Sequence, residues 1–237
     1  MKRHVATHGQ HFLRGSRLIG ELVGHSNIRR RDTVIDIGAG SGAISAVLAR
    51  RAACVIAYEN ESQALILLRR NMARYGNVKI VAQDFLRAEL PREPYKVFAN
   101  IPFSLSSKIV AKLAFADTPP RAIYLIVQKQ FAQKLVLDSA HFHGALGQAL
   151  APWWAVRIRR PLRRSDFTPP PAVDTVLLEL KLRAEPLLDP ALARNFSAFV
   201  YNCYHDPRAF RRLYHGDLKP SQLNTRQWLA CFSDCVR

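Results

Sequence analysis

The sequence is short of acidic residues. Eighteen Asp and Glu face 35 Lys and Arg, which leaves a formal net charge of +17. A globular chain carries that self-repulsion more readily when a polyanion neutralises it, so nucleic acid is the first partner class and an anionic membrane surface the second. Long apolar runs are missing as well. No stretch approaches the ~20 residues that a membrane-spanning helix needs, so no membrane partner is expected. Cysteine is sparse: Cys54, Cys203, Cys231 and Cys235 form no CxxC pair and no disulfide framework, and they read as buried or half-buried free thiols. The basic N-terminus, Met1 to His8, is not followed by an apolar signal core, so an unexported, cytoplasmic protein is expected. His141 and His143 flank Phe142 with no Cys or acidic residue beside them, so no metal site is expected. There are no internal repeats and no low-complexity tracts. Hydrophobic residues, by contrast, make up 49% of the 237. That suffices to bury the core of one α/β domain with a small appendage.

From about Asp32 to Gln128, short β-branched runs alternate with helix-period segments. Strands are predicted at Thr33–Ile37, Cys54–Tyr58, Val78–Ala82, Tyr95–Ala99 and Ala122–Gln128. Several are apolar almost throughout, the pattern of strands covered on both faces. Between them Leu65, Leu68 and Met72 mark a helix from Glu61 to Tyr75 that stops at Gly76. Ahead of the block, Ser16 is placed to cap a helix bearing Leu18, Ile19, Leu22 and Val23. Such alternation specifies a mostly parallel, doubly wound α/β sheet. Farther on, Trp153–Arg160 and Asp174–Arg183 read as an antiparallel pair at the sheet edge, with Trp153 and Trp154 as core. Helical patterns then run over Pro190–Tyr204, Ala209–Tyr214 and Thr225–Cys235. A boundary near Ala184 divides a catalytic domain, 1–184, from a small helical C-terminal domain, 185–237.

The first strand of the block ends in Asp36-Ile37-Gly38-Ala39-Gly40-Ser41-Gly42. Glycines there permit a tight turn and a close backbone approach by a ligand, at the strand end where parallel sheets bind theirs. The spacing is GxGxG rather than the GxGxxG of dinucleotide binders, and no phosphate-loop Lys follows. Glu59 stands at the end of the second strand, about 20 residues on, where a carboxylate accepts from ribose hydroxyls. Asp84 ends the third, placed to accept from an adenine amino group. One loop with Gly38 and Gly40 and two carboxylates at successive strand ends suit an adenosine-bearing ligand without a pyrophosphate; S-adenosylmethionine fits that description.

The fourth strand ends in Asn100-Ile101-Pro102-Phe103. The exocyclic amine of adenine is a poor nucleophile because its lone pair is delocalised into the ring. Acceptors that align its hydrogens leave the nitrogen free to attack a sulfonium methyl. The Asn100 side-chain oxygen and the Ile101 carbonyl can supply them, Pro102 stiffens the turn, and Phe103 offers a ring to an extruded base. No strong base or metal is required, since positioning carries the catalysis.

Gly9-Gln10-His11-Phe12-Leu13, the glycine loop, Asn100-Ile101-Pro102-Phe103 and Phe167-Thr168-Pro169-Pro170-Pro171-Ala172-Val173-Asp174 together resemble the KsgA/Erm ribosomal RNA adenine dimethyltransferases. Order and intervals match over essentially the whole chain. Within that group the chain looks like the Erm branch, which modifies 23S rRNA in the peptidyl transferase loop and confers macrolide–lincosamide–streptogramin resistance. Ile101 and Phe103 stand where the KsgA branch usually has Leu and Tyr. Ile123 to Ala132 and the late Pro220-Ser221-Gln222-Leu223 also look Erm-like. The resemblance implies a Rossmann-like S-adenosylmethionine-dependent methyltransferase sheet. It implies cofactor contacts from His11, Leu13, Gly38, Glu59, Asn60, Asp84 and Asn100, and a target base flanked by Phe103 and Phe167. His11 departs from the Asn common at its place, and Asn60 from a more usual Ile or Val.

For rRNA phosphates the expected contacts are the run Arg157, Arg159, Arg160, Arg163 and Arg164, which leads toward Phe167, with Lys108, Lys129 and Lys134. Phosphate contacts set affinity and salt dependence while the pocket selects adenine. A monomer is expected. Two alternatives stand beside this reading. One is a KsgA-like enzyme acting on small-subunit rRNA during ribosome assembly. The other is an RNA-binding factor that keeps the fold without turnover, which would predict erosion of the glycine loop, Glu59 or Asn100. None is eroded.

Overall fold

A computed structural model of the chain describes residues 11–137 and 143–236. Gly9 and Gln10 of the N-terminal motif lie outside the described residues, as do His141 and Phe142. The strands are β1 (Phe12–Leu13), β2 (Thr33–Ile37), β3 (Cys54–Glu59), β4 (Val78–Ala82), β5 (Tyr95–Asn100), β6 (Ala122–Gln128), β7 (Trp154–Leu162), β8 (Phe167–Thr168) and β9 (Thr175–Leu182). The helices are α1 (Ser16–Gly24), α2 (Ala43–Ala49), α3 (Ser62–Met72), α4 (Ser106–Ala114), α5 (Lys129–Leu135), α6 (Ala145–Leu150), α7 (Ala193–His205), α8 (Pro207–Leu213) and α9 (Thr225–Val236).

Seven strands form one sheet in the order β4-β3-β2-β5-β6-β9-β7, and β1 pairs with β8 apart from it. The pairs β2–β3, β2–β5, β3–β4 and β5–β6 are parallel, a Rossmann-like α/β arrangement. From β2 the chain builds outward to β3 and β4, then returns to place β5 on the other side. Strand order therefore reverses between β2 and β5, and the crevice beyond their carboxyl ends is where such sheets bind ligands.

The contacts divide the chain into two compact units: residues up to Lys129 with Ile158–Glu179, and Gln130–Arg157 with the chain from Leu180 onward. The expected boundary near Ala184 falls inside the second of these. In the first unit, Ile19, Leu22 and Val23 of α1 and Ile44 and Leu48 of α2 pack with Val34, Val55, Phe98 and Tyr124 of the strands. Phe98 and Tyr124 face each other across β5 and β6 and stack at 6.1 Å. On α3, Leu68 and Met72 are buried with Ala39 and Ala57. Glu61 starts that helix by accepting from the Gln63 and Ala64 amides. α1 differs from expectation: Gly15, with φ 78°, occupies the cap position and no side chain caps the helix, so Ser16 is its first residue instead.

The second unit is held by aromatic packing. Trp228, fully buried, stacks on Tyr204 at 5.9 Å and meets Phe199 and Phe210 at 6.0 Å. Trp153 and Phe196 meet edge to face. Cys203 and Cys231 are buried free thiols, and burial raises the pKa of both. Among the described residues no helix is long and apolar enough to cross a membrane.

Candidate active site

The residues singled out at the strand ends converge on one cleft at the reversal point. It is lined by His11, Phe12, Leu13, Gly38, Ala39, Gly40, Ser41, Glu59, Asn60, Asn100, Ile101, Pro102 and Phe103, with Ala43, Ile44 and Ala64 behind. An adjoining hollow shares Gly38, Glu59, Asn60 and Pro102 and adds Tyr58, Gln83 and Asp84.

The glycine loop curls because three of its residues take positive φ: 65° at Gly38, 57° at Gly40 and 90° at Gly42, a region closed to most side chains. A Cβ on Gly42 would lie 2.8 Å from Leu68 and Met72 of α3, so this glycine also lets α2 start close to α3. A Cβ on Gly40 would reach 3.3 Å from the Phe12 ring. Glu59, 6% exposed, holds the loop from below. Its Oε2 accepts from the Gly40 amide at 2.8 Å, while Oε1 accepts from the Asn60 and Glu61 amides at 2.8 and 2.9 Å. Asp84 accepts from the Leu86 amide at 2.9 Å through one oxygen and keeps the other uncommitted.

On the other side of the cleft the Asn100 Nδ2 donates to the His11 carbonyl at 2.6 Å. A carbonyl can only accept, so this bond fixes the amide and leaves Oδ1 as the free acceptor. Pro102 opens the short 3-10 turn Phe103–Leu105, whose Leu105 amide donates back to the Pro102 carbonyl at 3.0 Å. The Ser106 hydroxyl caps the Phe103 carbonyl at 2.9 Å. The Phe103 ring stacks on His11 with centroids 5.7 Å apart.

Phe167 departs from the expectation that it flanks the base. It is fully buried in the core of the first unit. The reason is register: β1 and β8 are antiparallel with Leu13 opposite Phe167 and Phe12 opposite Thr168. Directly opposed residues share a face, so Phe167 turns inward with Leu13 while Phe12 turns out. Phe12, 42% exposed, is thus a second ring on the cleft, one that sequence reasoning passed over. Its alternation with Leu13 was the available signal.

Asp36 was also passed over. It is 1% exposed; Oδ2 accepts from the Ser45 hydroxyl at 2.6 Å, and Oδ1 has no partner. Burial pushes this carboxyl up to about 7 from an ordinary 3.8. Between those values the folded chain binds a proton that the unfolded chain releases, so Asp36 stabilises the fold at low pH and that contribution is lost as pH rises through about 7. Asp36→Asn should flatten the decline in denaturant midpoint over this interval. Parallel pH profiles for the variant and the wild type would refute the assignment.

Lys108, Lys129, Lys134, Arg157, Arg163 and Arg164 are exposed. Arg159 lies 3.9 Å from buried Glu179, Arg160 pairs with Glu21 at 3.2 Å, and Arg164 with Asp174 at 3.4 Å. The last two pairs are on the surface, worth ~0–1 kcal/mol each, and could be exchanged for a phosphate. Among the described residues no group of three or more His, Cys, Asp or Glu is placed to hold a metal ion.

Comparison with known proteins agrees with this architecture. The family model described as ribosomal RNA adenine dimethylase matches residues 1–208. An rRNA adenine N-6-methyltransferase of Bacillus licheniformis is 31% identical over 191 residues, 81% of this chain and 65% of that protein. A ribosomal RNA small subunit methyltransferase A of Streptococcus agalactiae is 30% identical over 190 residues, 76% of this chain and 66% of that one. The match thus spans just under two thirds of the length of these relatives. The crystal structure of the 23S rRNA methyltransferase ErmE superposes with a TM-score of 0.81 at 26% identity, covering 95% of this chain and 100% of that one. With the family model matched over residues 1–208 of the chain and the glycine loop and Asn100 to Phe103 gathered at one cleft, the chain belongs to the ribosomal RNA adenine dimethylase family.

Proposed function

We propose that this chain transfers a methyl group from S-adenosylmethionine to N6 of an adenosine in ribosomal RNA, and that the adenosine lies in the peptidyl transferase loop of 23S rRNA, with macrolide–lincosamide–streptogramin resistance as the consequence. The observation that carries the reaction type is Asn100: its amide is locked by the His11 carbonyl at the mouth of the crevice, leaving Oδ1 to accept.

The residues present fit the cofactor. The loop is open at Gly40, where a Cβ would press on the Phe12 ring, the Glu59 carboxylate accepts from the Gly40 amide, and Asp84 has a free oxygen in the adjoining hollow. Bound there, S-adenosylmethionine supplies a methyl group already activated by the sulfonium. The chain's own groups do the rest. Glu59, with three acceptor positions taken by backbone amides, accepts from a ribose hydroxyl through the one that remains, and Asp84 accepts from the adenine amine, while Leu13, Asn60 and His11 border the ligand. Asn100 Oδ1 and the Ile101 carbonyl accept the two N6 hydrogens of the target and aim its lone pair, with Phe103 stacking on the base. No side chain has to remove a proton before attack. Lys108, Lys129, Lys134, Arg157, Arg159, Arg160, Arg163 and Arg164 meet the phosphates in this reading.

Small-subunit rRNA is the second reading, favoured by the similar identities of the two kinds of relative, 31% and 30%. Methyl transfer from labelled S-adenosylmethionine to protein-free 23S and, separately, 16S rRNA, mapped by primer extension, decides between them. Incorporation at a peptidyl-transferase-loop adenosine is the expected result. Incorporation into small-subunit RNA alone moves the chain to the second reading, and none in either sinks the substrate assignment.

A further inference from the structure

His11 touches more of the cleft than a ligand contact requires. Its backbone carbonyl takes the Asn100 amide. Its Nδ1 lies 2.8 Å from the Pro169 carbonyl; since that oxygen can only accept, Nδ1 carries the hydrogen. Its ring stacks on Phe103 at 5.7 Å with planes 26° apart. Phe103 itself sits on a single 3-10 turn, half-buried, and among the described residues His11 is its one aromatic neighbour. The ring that the sequence would have placed against the base, Phe167, is turned into the core.

We propose that the imidazole of His11 is a positioning residue for Phe103: tethered to Pro169, it covers one face of the Phe103 ring and holds the other toward the cleft for the target base. The proposal rests on the reading of Phe103 as the base's stacking platform. A ring on a short turn otherwise samples several rotamers, and fixing it before the base arrives removes that ordering cost from binding. The position is where the resembled family commonly has Asn, which can donate to the Pro169 carbonyl but has no ring to stack.

That difference supplies the test. His11→Asn keeps a donor for Pro169 and removes the stack; His11→Phe keeps the stack and removes the donor; Phe103→Ala removes the platform. Each variant is compared with the wild-type chain in kcat and KM for the rRNA that accepts methyl groups, in Kd for S-adenosylmethionine by calorimetry, and in melting midpoint. His11→Asn is expected to lose roughly 2- to 10-fold in kcat/KM for RNA, the range that one aromatic pair supports. Its cofactor Kd should stay within twofold and its melting midpoint unchanged, and His11→Phe should recover most of the loss. Three results would overturn the proposal while Phe103→Ala remains impaired. His11→Asn could match the wild type; its loss could lie wholly in cofactor Kd; or it could be more active, meaning that the imidazole blocks the face the base uses. Phe103→Ala with full activity would overturn the platform reading and this inference with it.

Discussion

Asn100→Ala is expected to lower kcat by about 10²–10³-fold, the loss typical of removing one aligned hydrogen-bonding group from a reacting centre. The Kd for S-adenosylmethionine should change by only a few-fold. The expectation follows from how the side chain is held. Its nitrogen donates to the His11 carbonyl at 2.6 Å, so the orientation of its oxygen is set before any substrate arrives. Nothing else on the fourth strand end offers a side-chain acceptor: Ile101 and Pro102 contribute only backbone, and Phe103 a ring. Asn100→Asp separates alignment from mere acceptor capacity. A carboxylate still accepts, but it cannot donate to the His11 carbonyl, and two acceptors 2.6 Å apart repel. If the locked orientation matters, Asp should be nearly as impaired as Ala. Single-turnover methyl transfer with labelled cofactor reads both, with cofactor titration as the control. A kcat for Asn100→Ala near the wild-type value would mean that N6 is aligned by other groups.

The strand ends were legible in the sequence because each rests on a local signal. β2, β4 and β6 occupy the spans that their β-branched runs predict, while β3 and β5 each extend one residue further, to Glu59 and Asn100. Those two residues border the cleft, and polar termini of apolar strands are where pattern reading stops short. The glycine loop was legible for a similar reason, since φ values of 57° to 90° leave few other residues possible. Phe167 was not legible. Whether it faces ligand or core depends on the register of two strands only two residues long, separated by 153 intervening residues, and a slip of one residue would exchange it with Thr168. The ion pairs of Arg159, Arg160 and Arg164 were hidden for the same reason, because Glu21, Asp174 and Glu179 come from separate segments that only tertiary structure brings to them. Asp36 read as part of a motif, and its burial to 1% became visible only once α2 had delivered Ser45 to it.

Glu59→Gln should be the most damaging single-atom-type exchange in the cofactor half of the site. A carboxylate offers about four lone-pair positions. Three are already taken by the amides of Gly40, Asn60 and Glu61 at 2.8, 2.8 and 2.9 Å. The same group that would meet the ribose is therefore what holds the glycine loop in place. An amide cannot do both. With its oxygen toward Gly40, its NH2 faces the amides of Asn60 and Glu61; turned over, it faces that of Gly40. Either orientation sets donor against donor in a place that is 6% exposed. An unsatisfied buried donor costs about 1–3 kcal/mol, and the lost ribose acceptor adds a charged hydrogen bond of about 1.5–3 kcal/mol. The unsatisfied donor weakens the free and the bound protein alike, so the lost ribose acceptor alone moves the Kd for S-adenosylmethionine, by roughly 10–10²-fold at 1.4 kcal/mol per decade. The first part should appear without any ligand, as a lower denaturant midpoint. Glu59→Asp tests the division, since it keeps the acceptors but retracts them by one methylene: it should bind more weakly than wild type yet better than Gln. Calorimetric titration beside equilibrium unfolding measures both parts. A Kd for Glu59→Gln within about threefold of wild type would remove Glu59 from the cofactor site, and an unchanged midpoint would mean that the loop keeps its curl through the backbone conformation of its glycines alone.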